Sequence, residues 1–199
     1  VTFIGTVSPA GGNLKEPVTE STKKAARCFY ALEQNRADQK RYPAVNPIDS
    51  YSKYLEYPEI REHLSEKVKP GWVEMVEKTK NIIRKGKDAN DQINILGDDG
   101  VPMSYHELFW KSELVDFVIL QQDAFDDIDA LCPIERQKYM LELVMSICDR
   151  EFKFDDFEKC RTYFKELINA LRQMNYSVFK SDRFNEYENK LNNLLSNGK

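Results

Sequence analysis

The sequence predicts a mainly α-helical fold, a C-terminal bundle of about six or seven helices preceded by one strand and a loop. Three observations predict it. Apolar side chains recur at three- and four-residue spacing through most of the chain beyond residue 19. Proline and glycine clusters ("YPAVNP", "KPGW", "GDDGVP") cut that pattern into helix-sized pieces. The one strand-like run, "VTFIGTV", stands at the start.

The elements follow in order. Val1, Phe3, Ile4 and Val7 form a short apolar run bounded by turn residues, the pattern of a sheet interior. No later segment looks able to pair with it and no starter methionine precedes it, so the chain is expected to be a piece of a larger subunit. Gly11-Gly12 sit in the following loop, as phosphate-binding glycines do, but without the Lys-Ser/Thr pair; a tight turn is the simpler use. Thr22, Ala25, Ala26, Phe29 and Leu32 predict a helix from Thr19 to about Gln39. Pro43 and Pro47 make "RYPAVNPIDSYSKY" a stiff, shaped loop. A short helix is predicted from Pro58 to Lys69 and a long one from Trp72 to Ile93, its stripe running through Met75, Val76, Thr79, Ile82, Ile83 and Gly86. After the "GDDGVP" turn, Ser104 and Glu107 read as a capping box opening a helix whose second half, through Leu120, is apolar nearly all round and central to the bundle. Three more helices are predicted: Pro133–Cys148, Asp155–Asn175 and Ser181–Ser196.

Composition narrows the function. With 41% hydrophobic and 31% charged residues the chain has a globular balance, and no apolar run approaches the roughly 20 residues of a membrane span. A net charge of -4 with both signs interspersed speaks against nucleic acid as a partner. Cys28, Cys132, Cys148 and Cys160 lack any CxxC spacing, so with His63 and His106 they do not read as a zinc site but as buried, reduced thiols. Asp123, Asp126, Asp127 and Asp129 are hard oxygen donors close in sequence, yet they do not follow EF-hand order. A turn whose carboxylates accept backbone N–H bonds is the simpler reading. No GxxxxGK[ST], GxSxG or HExxH motif is present.

Three stretches, "GTVSPAGGNLKEPVT", "YPAVNPIDSYSKY" and "LQQDAFDDIDALCP", carry a resemblance. In order and spacing they resemble landmarks of the catalytic A subunit of bacterial V-type rotary ATPases. The likeness is specific from Val1 to about Glu151. Asn13 stands where the family usually has Asp, Tyr42 where it has Phe and Pro47 where it has Trp, the last two moving toward the β subunit of F-type ATP synthases.

The resemblance implies that residues 1–18 end a nucleotide-binding domain and residues 19–199 form the C-terminal helical domain. It implies an adenine pocket in which Tyr42 stacks on the base while Gln122 and Phe125 approach its other side, with no catalytic residue and no metal ligand in this chain. For Tyr42 and Phe125 the residues alone favour plain core packing. The full subunit would bind ATP or ADP with magnesium, and the fragment alone would bind no cofactor and be inactive for want of a phosphate loop. The implied partners are the B subunits of a hexameric ring and the central-stalk rotor, touched by the Gly97–Glu107 turn. The place is the cytoplasmic face of a membrane into which this chain does not insert, and the work is H⁺ or Na⁺ transport. A stand-alone helical interaction module without nucleotide is the alternative, and a fragment of an F-type or export ATPase subunit a second.

Overall fold

The computed structural model describes residues 1–197; residues 198 and 199, the end of the expected helical domain, lie outside it. Eight α-helices carry the architecture: α1 (Pro17–Ala25), α2 (Gln34–Asp38), α3 (Pro58–Lys67), α4 (Trp72–Leu96), α5 (Met103–Val115), α6 (Ile134–Cys148), α7 (Phe157–Asn175) and α8 (Asp182–Asn197). A π-helical turn, Asp116–Leu120, continues α5. A two-residue ribbon pairs β1 (Cys28–Phe29) antiparallel with β2 (Tyr51–Ser52).

The core is built from the stripes that periodicity marks. Leu114 and Val115 of α5, Val144 and Ile147 of α6, Phe164, Leu167, Leu171 and Met174 of α7, and Phe184 and Leu191 of α8 are all buried. α5 packs on both α4 and α7, and α8 on α7, so α5 is central as expected. A smaller cluster of Trp72, Leu141 and Met145 ties α4 to α6. Gly86 makes the tightest helix contact: a Cβ there would lie 2.0 Å from the Ser112 Cβ on α5. α7 starts on the Asp156 side chain, which accepts the Lys159 N–H at 2.8 Å and so satisfies one of the donors a helix start leaves open.

Four expectations need correction. Residues 1–9 form no strand among the described residues, and Phe3 and Ile4 are each 93% exposed. A strand exists through its ladder, and no neighbour in this chain supplies one. The helix expected from Thr19 to Gln39 stops at Ala25. There Tyr51 Oη donates to the Lys23 carbonyl at 2.6 Å, Lys53 N donates to the Arg27 carbonyl, and the β1–β2 ribbon draws the chain into extended backbone. α5 begins one residue early, with Pro102 at its N-cap, so Ser104 is inside the helix, and Glu107 pairs with Lys111 instead. Only Cys148 and Cys160 are buried, and burial pushes each thiol up to about 12. Cys28 is half-buried and Cys132 exposed, on the loop that precedes Pro133.

The "YPAVNP" loop is shaped by its own side chains. Asn46 Oδ1 accepts the N–H groups of Ile48 and Asp49 at 2.8 and 3.1 Å, and its Nδ2 donates to Asp49. Gly11 and Gly12 have φ of 61° and 70°, the left-handed turn read from the sequence. No helix among the described residues is long and apolar enough to cross a membrane.

Candidate functional site

A cleft of about 520 Å³ opens where the proline loop, the segment after the π turn and the C-terminal end of α7 meet. Tyr42, Gln122 and Phe125, named from the sequence, all line it, together with Lys40, Phe117, Gln121, Asp129 and Arg172. Tyr42 and Phe125 are not core residues: their rings are 54% and 99% exposed. Each of these large apolar faces is available to a flat partner.

The cleft has two walls, and a backbone bond joins them. Gln122 N donates to the Tyr42 carbonyl at 2.9 Å, locking the loop that carries the tyrosine to the segment that carries Phe125. The Gln122 side chain is also used locally, its Nε2 donating to the Asp129 carbonyl at 2.7 Å. Its Oε1 is the atom left to accept from a base edge. Gln121 was missed by the sequence reading: its Nε2 is buried with no partner among the described residues, a state that costs about 1–3 kcal/mol in a closed protein.

The acidic stretch is a set of turns. Asp126 Oδ1 accepts from the N–H groups of Ile128 and Asp129, Asp123 Oδ1 from Phe125 N, and Asp129 Oδ2 from Asp123 N. Its carboxylates are spent on backbone, and among the described residues no three metal-ligating side chains cluster. Beneath it lies Arg136, 2% exposed, whose Nη1 donates to the carbonyls of Ile128 and Asn175 at 3.0 and 3.1 Å. Burial raises the Asp129 carboxyl above its ordinary value, against the pull of the Asp123 N–H and the Arg136 charge.

Behind the tyrosine wall, Arg36 and Arg41 meet the carboxylates of Glu113 and Asp116 at the end of α5. Burial works against the Arg41 charge, but the two carboxylates outweigh it and hold the guanidinium above its ordinary value. Nothing in the local sequence pattern marks this cluster, because its partners lie 72 to 80 residues apart. Arg172, brought from α7, was missed for the same reason.

A loop-borne aromatic cleft set at the root of a helical bundle is the arrangement of a nucleotide-binding domain joined to its C-terminal domain. The comparisons agree: residues 1–52 match the ATP synthase alpha/beta family, nucleotide-binding domain. Residues 61–156 match the C-terminal domain of V and A type ATP synthase, and the chain belongs to that family. The V-type ATP synthase alpha chain of Chlamydia abortus is 41% identical over 186 residues, covering 94% of this chain and 31% of the relative. That of Borrelia duttonii is 37% identical over 199 residues, covering all of this chain and 32% of the relative. This chain thus spans about a third of the relatives it matches. A solved ATP synthase subunit, NeqB of Nanoarcheaum equitans, shares the fold with a TM-score of 0.54 and 17% identity over 71% of this chain and 33% of that one. Because a nucleotide-binding-domain segment runs directly into the helical domain, the chain is not a stand-alone helical module.

Proposed function

We propose that this chain supplies the adenine side of a nucleotide site and the helical lever of the catalytic subunit of a V-type rotary ATPase. The observation that carries the reading is the cleft at the junction of the two matched domains, with Tyr42, Gln122 and Phe125 on its walls. Tyr42 stacks on the adenine ring, Phe125 approaches its other side, and Gln122 accepts from the base edge. A stacked aromatic contributes about 1 kcal/mol beyond the area it buries.

The 199 residues hold no GxxxxGK[ST] loop, so phosphate and magnesium chemistry falls to the other two-thirds of a full alpha chain. ATP binding there would draw the cleft walls around the base. Such a closure is driven only by the difference in binding energy between open and closed states. The bundle rooted at the cleft then swings, and the turn at Gly97–Glu107 presses on the central-stalk rotor. In this reading the B subunits complete the ring, the complex sits on the cytoplasmic face, and H⁺ or Na⁺ crosses in separate membrane subunits.

Tyr42→Ala in the full-length alpha chain tests the base contact. ADP affinity is expected to fall about tenfold, the order of one lost base–aromatic stack, while far-UV circular dichroism stays unchanged. Unchanged ADP affinity sinks the stacking role.

A further inference from the structure

Helix α5 ends in four charges that base stacking does not use. Arg36 grips Asp116 with both terminal nitrogens, at 2.9 and 2.8 Å. Arg41 grips Glu113 the same way, at 2.9 Å each, and adds a 2.5 Å bond from Nη1 to Asp116 Oδ2. Its guanidinium also lies 4.9 Å from the centre of the Phe117 ring, against which Arg172 sits at 5.9 Å. Phe117 and Arg172 line the cleft.

The cluster touches both walls at their roots. Arg41 directly precedes Tyr42, the tyrosine wall. Asp116 opens the π turn, and its carbonyl accepts the Gln121 N–H at 3.0 Å, where the second wall begins. A buried ion-pair network is a weak source of net stability, since desolvation offsets most of the attraction, but its directional bonds fix geometry. Only a planar fork can serve Glu113 and Asp116 together while stacking on Phe117.

We infer that Arg41 is a positioning residue for the nucleobase cleft: by clamping Glu113 and Asp116 over Phe117 it sets the spacing between the Tyr42 wall and the Gln121–Phe125 wall. The inference rests on the base-binding reading. A ligand with a base therefore feels the clamp, and one that is only phosphate does not.

The test compares ADP with pyrophosphate, each titrated by calorimetry into the full-length alpha chain carrying Arg41→Met. Expected is a loss of ADP affinity of about tenfold or more, as when one partner of a close charge pair is truncated, with pyrophosphate affinity unchanged. Arg41→Lys, which keeps the charge and loses the fork, is expected to give a smaller loss with the same selectivity, and it decides the matter if Arg41→Met does not fold. Equal losses for both ligands mean a merely structural role and overturn the inference, as does no loss for either. Tyr42→Ala run in parallel separates the two ideas. If it weakens ADP binding while the Arg41 variants do not, the clamp alone falls; if it too changes nothing, the base-binding reading falls with it.

Discussion

Gly86→Ala is expected to destabilise the chain by about 2 kcal/mol and lower its melting temperature by about 5 °C. The added methyl would lie 2.0 Å from Ser112 Cβ, 2.5 Å from Ser112 Oγ and 3.1 Å from the Leu108 carbonyl oxygen. α4 and α5 must therefore part along a contact that reaches the bundle's central helix. An overlap of this kind costs about 3 kcal/mol. Alanine returns about 1 kcal/mol of helix propensity over glycine, too little to reverse the sign. Because most of the conflict is with one side chain, Ser112→Gly added to Gly86→Ala is expected to recover part of the loss, a favourable coupling measurable in a double-mutant cycle. A higher melting temperature for Gly86→Ala would contradict the contact.

Arg136→Ala is expected to cost about 3–5 kcal/mol, as breaking a buried charge pair does. The guanidinium serves the carbonyls of Ile128 and Asn175 and lies 3.7 Å from the Asp129 carboxylate, so its removal leaves buried acceptors and a buried charge without compensation. Denaturant unfolding at neutral pH measures the loss, and a cost under about 1 kcal/mol would mean that water takes over these groups. A pH signature accompanies it. Burial already holds the Asp129 carboxyl above its ordinary value, so the fold binds this proton more readily than the unfolded chain does. Its contribution therefore favours the fold below the ordinary carboxylate value and is lost as pH rises through the folded one. Without the Arg136 charge, which pulls Asp129 down, that window extends further upward. A carboxyl NMR titration showing Asp129 shifted down in the variant would refute this account.

The later helices were legible because each carries its burial pattern within a few turns. Phe164, Leu167, Leu171 and Met174 repeat at helical spacing, and all are buried in α7. The break after Ala25 was not legible: Ala26, Phe29 and Leu32 continue the helical spacing, and what ends the helix is Tyr51 and the β2 segment arriving from 25 or more residues on. The opening run failed as a strand for a related reason, since alternation describes a face and not a partner. In the cleft, Tyr42, Gln122 and Phe125 lie in motifs that resemble a family. Arg41, Phe117 and Arg172 come together only through the packing of α5 and α7, and no short stretch of sequence holds that information.

The π turn at Asp116–Leu120 has a consequence for chain length. A π turn is in effect a helix with one residue too many, closed here by the bond from Gln121 N to the Asp116 carbonyl. Each residue of an α-helix turns the chain by about 100°, so the surplus residue resets the phase of everything after it. Excising one residue between Phe117 and Leu120 would let the segment relax into uniform α-helix and rotate Gln121–Phe125 by roughly a quarter turn away from Tyr42. The identity of the cleft thus depends on a count of residues as well as on their kinds, and a single deletion in this turn would disperse its second wall more completely than any one substitution within it.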